Sequence, residues 1–118
     1  MKYLLSLITI LAISTSQAET YPTEELFNES MQSYTKAMLN AHKTMIDATK
    51  QNASPSDILF YYCLRRDYLL KMQNDIKDNM NYKTVFQWRT AVLDRLQRDS
   101  MGDKQNGFDA NKACKNVL

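Results

Sequence analysis

The stretch SPSDILFYYCLRR, residues 54–66, decides the fold of this chain. It opens with a helix start, because Ser54 and Asp57 form a Ser-x-x-Asp capping pattern and Pro55 suits the first helical position. The run ILFYYCL that follows is apolar or aromatic on every side of a helix, and such a helix is buried on several sides. We therefore predict a helix from Pro55 to about Asn79, with other segments covering its first half.

The second half of this helix is predicted to be amphipathic. Its apolar side carries Leu69, Met72, Ile76 and Met80. Its polar side carries Lys71, Asn74, Asp75 and Asp78.

An earlier helix is predicted from Glu24 to Gln51, with Thr23 as its N-cap. Its apolar residues repeat in alternating steps of four and three, a heptad pattern that suits shallow packing along a partner helix. They are Phe27, Met31, Tyr34, Met38, Ala41, Met45 and Ala48. Methionines at this spacing are typical of core filler, and an adaptable binding surface is the alternative.

A third helix is predicted from Tyr82 to Ser100, with Val85, Val92 and Leu96 as its apolar stripe and Phe86 and Leu93 on the flanks. Residues 102–107 are predicted to be a loop in which both glycines adopt positive φ. A short last helix, Ala110 to Val117, follows Asp109 as N-cap.

These elements predict an all-α fold, because two glycines and two prolines are too few for the turns of an all-β domain. The first two helices form a hairpin, the third packs across it, and the last is stapled to the second. Cys63 and Cys114 supply the staple, since the even cysteine count of an exported protein predicts a disulfide. Two buried free thiols are the alternative. The architecture is thus a small disulfide-stapled helical bundle.

Export is predicted from the first 18 residues, MKYLLSLITILAISTSQA. Lys2 is followed by an apolar run and by a small-x-small cleavage site that ends at Ala18, which is the pattern of a secretory signal peptide. We predict cleavage before Glu19, one domain over residues 19–118, and a periplasmic or secreted location. No later apolar run reaches the length of a membrane span, so no integral membrane anchor is expected.

Charge and chemistry exclude several functions. The formal net charge is +2 and falls to +1 when Lys2 is removed, which is too weak to predict nucleic-acid binding. His42 is the only histidine and has no companion ligands in the pattern of a metal site, so neither a metal nor a cofactor is predicted. The paired carboxylates have basic neighbours at helical spacing and predict ion pairs rather than catalysis. These pairs are Asp67–Lys71, Lys71–Asp75, Asp94–Arg98 and Arg95–Asp99.

A partner-binding surface is the functional signal that remains. Tyr61, Leu64, Arg65, Tyr68 and Trp88 lie on the flanks of the apolar stripes, and tyrosine, tryptophan and arginine are frequent anchors of protein interfaces. We predict that some of Phe60, Tyr61, Leu64 and Tyr68 stay exposed in an isolated monomer. Packing at the core edge, with Arg65 paired to a carboxylate, is the alternative.

Together these features predict a non-enzymatic protein-binding module that acts as an immunity or inhibitor protein does, on another protein or on a second copy of itself. The alternative is a periplasmic stress chaperone, and a small cell-wall hydrolase is less favoured because no acid–base pair is evident. In size, predicted export and single bridge the chain is similar to immunity proteins and acid-stress chaperones. It shares no motif with either, so we assign no family.

Overall fold

The computed structural model describes residues 19–118, and the predicted signal peptide lies outside the described residues. This part of the chain is all-helical, as predicted. It contains α1 (Glu24–Lys50), α2 (Pro55–Lys77), α3 (Val85–Gln105) and the four-residue α4 (Ala110–Ala113).

Three of the helix starts are those that the sequence predicts, because local side chains cap them. Thr23 Oγ1 accepts a hydrogen bond from the Leu26 amide at 3.2 Å, and Ser54 Oγ accepts one from the Asp57 amide at 3.2 Å. Asp109 caps α4 in the same way. Each side chain satisfies an amide that the helix itself leaves without a partner.

The bounds of α3 and α4 differ from the prediction. Residues 82–84 form a turn, so α3 begins at Val85 rather than Tyr82. It then continues through Gly102, because a single glycine inside a helix costs only about 1 kcal/mol. Of the two glycines, Gly107 alone has a positive φ, 64°, and the Phe108 amide after it bonds back to the Asp103 carbonyl at 2.8 Å. This Schellman-type cap ends α3.

The final helix is shorter than predicted. Helical geometry stops at Ala113, Cys114 is the C-cap, and the residues up to Val117 form turns. The segment is fixed by tertiary contacts instead. Tyr62 packs edge-on against Phe108 with 5.5 Å between ring centroids, and Arg66 donates a hydrogen bond to Asn111.

The predicted disulfide is confirmed. Cys63 on α2 and Cys114 are bonded, with their Cα atoms 5.5 Å apart. Cys63 is buried at 1 % exposure, so the bridge fastens the end of the chain to the interior of the bundle. A disulfide fits a non-reducing compartment.

Both α1 and α3 pack chiefly against α2, which is why α2 carries apolar residues on so many sides. The main core cluster joins all three helices through Phe27, Met31, Met72, Ile76, Val85 and Val92. The α1 heptad is largely borne out, with Phe27, Met31, Met38 and Ala41 buried and its other members half-buried. The buried Met31 and Met38 are core filler.

Two predictions for the second half of α2 are wrong. Met80 is 56 % exposed because α2 ends at Lys77, so the chain has turned before residue 80 can join the apolar side. Asp75 is not on a solvated face but buried at 3 % exposure, where the segment before α1 covers it. Lys71 therefore pairs with Asp67, at 3.1 Å, and not with Asp75.

None of the helices in residues 19–118 combines the length and the apolar character needed to cross a bilayer.

Candidate partner-binding surface

The predicted aromatic flank of α2 is half-buried rather than open. Tyr61, Leu64 and Tyr68 are each intermediate in exposure. Tyr68 packs against Tyr34 of α1, with ring centroids 6.4 Å apart. Phe60 is 40 % exposed and meets the Tyr61 ring edge-on at 5.3 Å. Of the four residues for which exposure is predicted, Phe60 is thus the one that is exposed.

Arg65 is not available at the surface. It is 5 % exposed, its guanidinium lies 3.0 Å from the Asp99 carboxylate, and it lies over the Tyr62 ring at 5.4 Å. The predicted pairing of Asp99 with Arg95 is therefore replaced by a pairing across two helices. Asp99 faces α2, where it compensates the buried charge of Arg65. Within the monomer Arg65 is a structural residue that joins α2 to α3.

Trp88 also lies in a contact between helices, where it joins α3 to α1. Its indole Nε1–H donates to Asn28 Oδ1 at 2.9 Å, and Thr84 Oγ1 donates to the same oxygen at 2.8 Å. Glu24 accepts a hydrogen bond from the Thr84 amide at 2.9 Å, and that bond lowers the pKa of the Glu24 carboxyl. Trp88 therefore helps to fasten the start of α3 to α1, and its ring packs on the core.

The structure brings together a different set of residues, in a groove between α2 and α3 with a volume of about 280 Å³. We call it the α2–α3 groove. Its apolar lining is Ile76, Met80, Val92 and Leu93. Its polar lining is Gln73, Lys77 and Arg89, so it carries two positive charges and no carboxylate.

An exposed apolar ridge continues from this groove along α3. Phe86 is 72 % exposed, the most exposed large apolar side chain of the described residues, and Leu93 is 39 % exposed. Positions 86, 89 and 93 lie on one helical face, because residues three and four apart are neighbours. Arg89 thus sits between two apolar side chains. From the sequence, Phe86 and Leu93 are predicted only as flanks of the α3 stripe. The signal for this ridge is their spacing of one heptad, with an arginine between them.

A second depression, about 420 Å³, lies where α2, α3 and α4 meet. Several of its polar groups are already engaged within the fold. The Tyr62 hydroxyl donates to Asp103 at 2.5 Å, and burial together with that hydrogen bond raises the pKa of Tyr62. Asp99 is paired with Arg65. We interpret this depression as part of the support for α4.

His42 is half-buried on α1, as expected for a structural histidine. Its Nδ1 is buried and has no hydrogen-bond partner among residues 19–118. Burial, followed by the positive charges of Arg65 and Arg95, lowers the pKa of the imidazole. Residues 19–118 contain no cluster of three or more histidine, cysteine or acidic side chains of the kind that holds a metal ion.

Comparisons with protein-family models, with curated proteins and with solved structures gave no match to this chain.

Proposed function

We propose that this chain is an exported, non-enzymatic protein-binding module that holds its partner in the α2–α3 groove. The observation that carries the proposal is the combination of an apolar groove, a strongly exposed Phe86 beside it and a rim with positive charge only. Contiguous exposed apolar surface on a small domain marks an interaction site more often than chance packing.

The groove favours a particular chemistry in the partner. At about 280 Å³ and with an apolar lining, it has room for one large apolar side chain of a protein. Lys77 and Arg89 would each attract a carboxylate next to that side chain. We therefore infer a partner segment with an apolar anchor flanked by aspartate or glutamate.

A dedicated partner, as for an immunity or inhibitor protein, is favoured by the rigidity of the scaffold. The groove lies between two long helices that share one core, and the disulfide holds the chain end on α2. A preorganised surface loses little conformational entropy on binding, which favours one well-fitted partner. A stress chaperone, the alternative function, needs to expose further apolar surface under stress.

Periplasmic or secreted location is part of the proposal. The Cys63–Cys114 bond supports a non-reducing environment, and the first 18 residues match a signal peptide. The partner is accordingly expected outside the cytoplasm. The predicted flank of Tyr61, Leu64 and Tyr68 stays a prediction, as a secondary contact surface on α2.

The test begins with a photo-crosslinking amino acid at Phe86 in the exported protein. A single dominant crosslinked partner is expected, and its affinity is then measured by calorimetry. Leu93→Ala is expected to weaken binding by about 2 kcal/mol, the usual effect at an anchor residue. Arg89→Glu is expected to slow association and weaken binding, since it reverses a charge at the rim.

Matched controls separate this surface from others. Arg98→Glu makes the same charge reversal on α3, where Arg98 pairs with Asp94, and is expected to leave affinity unchanged. Tyr61→Ala reports on the α2 flank. Equal effects of Arg89→Glu and Arg98→Glu would overturn the groove as the binding site. Crosslinks to many unrelated proteins, together with suppressed aggregation of an acid-unfolded test protein, would show that the chain is a stress chaperone and not a module for one partner. A crosslinked homodimer would show that the partner is a second copy of this chain and not a different protein with an acidic segment.

A further inference from the structure

The segment before α1 is held by a buried polar site on α2. The Glu19 backbone nitrogen donates to Asp75 Oδ1 at 2.9 Å. The Asn79 side-chain amide donates to the Glu19 carbonyl at 2.8 Å and accepts from the Tyr21 amide at 2.9 Å. The Tyr21 hydroxyl donates to Asp75 Oδ2 at 2.9 Å. We call Asp75, Asn79 and Tyr21 the N-terminal clamp.

The carboxylate of the clamp lacks a cation. Asp75 is 3 % exposed and Asn79 is 1 % exposed. Within residues 19–118 no lysine or arginine forms an ion pair with Asp75, since Lys71 is paired with Asp67. Burial raises the pKa of Asp75, and hydrogen bonds from Glu19 and Tyr21 oppose that shift. Of the charges on its own helix, Asp78 raises this pKa further and Lys71 lowers it without forming an ion pair. A buried charge without a counter-ion destabilises the folded state, so a cation placed beside Asp75 would stabilise it.

The missing cation would be produced by the predicted processing. Glu19 is the residue that directly follows the predicted cleavage site at Ala18. Hydrolysis of the Ala18–Glu19 peptide bond by a signal peptidase adds one water, which leaves a carboxylate on Ala18 and an α-ammonium on Glu19 at neutral pH. The nitrogen that gains this charge is the one already 2.9 Å from Asp75.

We propose that the N-terminal clamp is a binding site for the α-ammonium of the mature chain, so that removal of the signal peptide completes a partly buried ion pair between the α-ammonium of Glu19 and the carboxylate of Asp75. The proposal rests on cleavage after Ala18 and is independent of the partner. The clamp also holds the residues that follow the new terminus, because Asn79 binds the Glu19 carbonyl and the Tyr21 amide. An ammonium group offers three donors where the amide offers one, and a charged donor strengthens the bond to a carboxylate.

The position of the charge is the critical variable. One additional residue would move the ammonium by about 3.8 Å, out of hydrogen-bond reach of Asp75, while an uncharged amide remained in its place. A chain with one glycine inserted between Ala18 and Glu19 keeps every side chain of the clamp. It differs from the mature protein only in where the charge lies.

The experiment compares exported protein with and without this inserted glycine, after intact mass has established the first residue of each. The glycine is expected to lower the folding equilibrium constant by about tenfold or more, equivalent to about 1.4 kcal/mol, because a charge-assisted bond is lost. In the Asp75→Asn background the insertion is expected to have no effect. Asp78→Asn removes a neighbouring exposed carboxylate and is expected to preserve the full effect.

A second measurement does not depend on stability. The pKa of Asp75, followed by NMR, is expected to be lower in the chain that begins at Glu19 than in the chain with the inserted glycine. Equal pKa values, or an insertion effect of the same size in the Asp75→Asn background, would overturn the proposal. An exported chain that begins at any residue other than Glu19 would overturn it as well. Partner binding enters none of these measurements.

Discussion

Arg65 on α2 and Asp99 on α3 form an ion pair of 3.0 Å inside the bundle. Their side chains are only 6 % and 17 % exposed. The hydrophobic cluster joins the opposite end of these two helices, near Ile76 and Val85. The ion pair is therefore a polar contact between α2 and α3 in addition to that cluster.

Replacing Arg65 by alanine is expected to destabilise the fold strongly. The change leaves the Asp99 carboxylate without its counter-ion, and breaking a buried pair costs about 3 kcal/mol. Arg98→Ala is the matched control, because its exposed pair with Asp94 on the same helix is worth roughly 0.5 kcal/mol at most. Urea unfolding of both variants gives the comparison. Similar losses for the two would show that the Arg65 pair has no special role.

Removing the disulfide is expected to release the end of the chain first. Cys114→Ser opens a loop with a sequence separation of 51, which in the chain-entropy account is worth about 4 kcal/mol. The four-residue α4 contributes no buried residue of its own, so its amides should exchange with solvent before those of α1–α3. Hydrogen exchange measures this order. Retained protection of α4 in the variant would mean that Phe108 and Asn111 suffice to hold it.

Removing the Tyr21 hydroxyl is expected to weaken the N-terminal clamp. Tyr21→Phe deletes the 2.9 Å hydrogen bond to Asp75 and the 2.6 Å bond with Ser30. A buried charged group that loses a partner costs roughly 1–3 kcal/mol. Tyr61→Phe is the control, since the Tyr61 hydroxyl makes no hydrogen bond to residues 19–118, and a change below about 0.5 kcal/mol is expected there. The free energy of unfolding of both variants decides the matter.

His42 is expected to make stability fall at mildly acidic pH. Burial and the facing charges of Arg65 and Arg95 lower the pKa of the folded imidazole, and Asp99 opposes them only in part. The unfolded chain therefore binds more protons once the pH falls below the ordinary histidine pKa of about 6.5. The free energy of unfolding is therefore highest above that pH, where His42 is neutral in both states. It declines as the pH falls toward the pKa of His42 in the folded protein. His42→Gln should flatten this part of the curve of unfolding free energy against pH. An unchanged slope in the variant would assign the titration to other groups.

The helices and the bridge could be predicted because their causes are local. Thr23, Ser54 and Asp109 cap helices within a few residues of themselves, and two cysteines allow one intramolecular pairing. The end of α3 was not predicted, because glycine by itself favours a loop. Gly102 stays helical since the residues before and after it are helical as well. The end of α4 was not predicted because the chain leaves helical geometry at Cys114, the residue that is bonded to Cys63 on α2.

The sites were decided by tertiary structure, since spacing along one helix does not give the rotation of that helix against its neighbours. Asp75 and Arg65 lie at positions that a helical wheel assigns to the polar face or the stripe edge, yet both are buried. Asp75 is covered by a segment 56 residues away in sequence, and Arg65 by α3. The α2–α3 groove arises in the same way, from residues of two helices whose register only packing sets. Local propensity thus determined which helices form, and the cysteine count determined the disulfide. The packing of three helices determined which polar groups are buried and which apolar groups remain exposed.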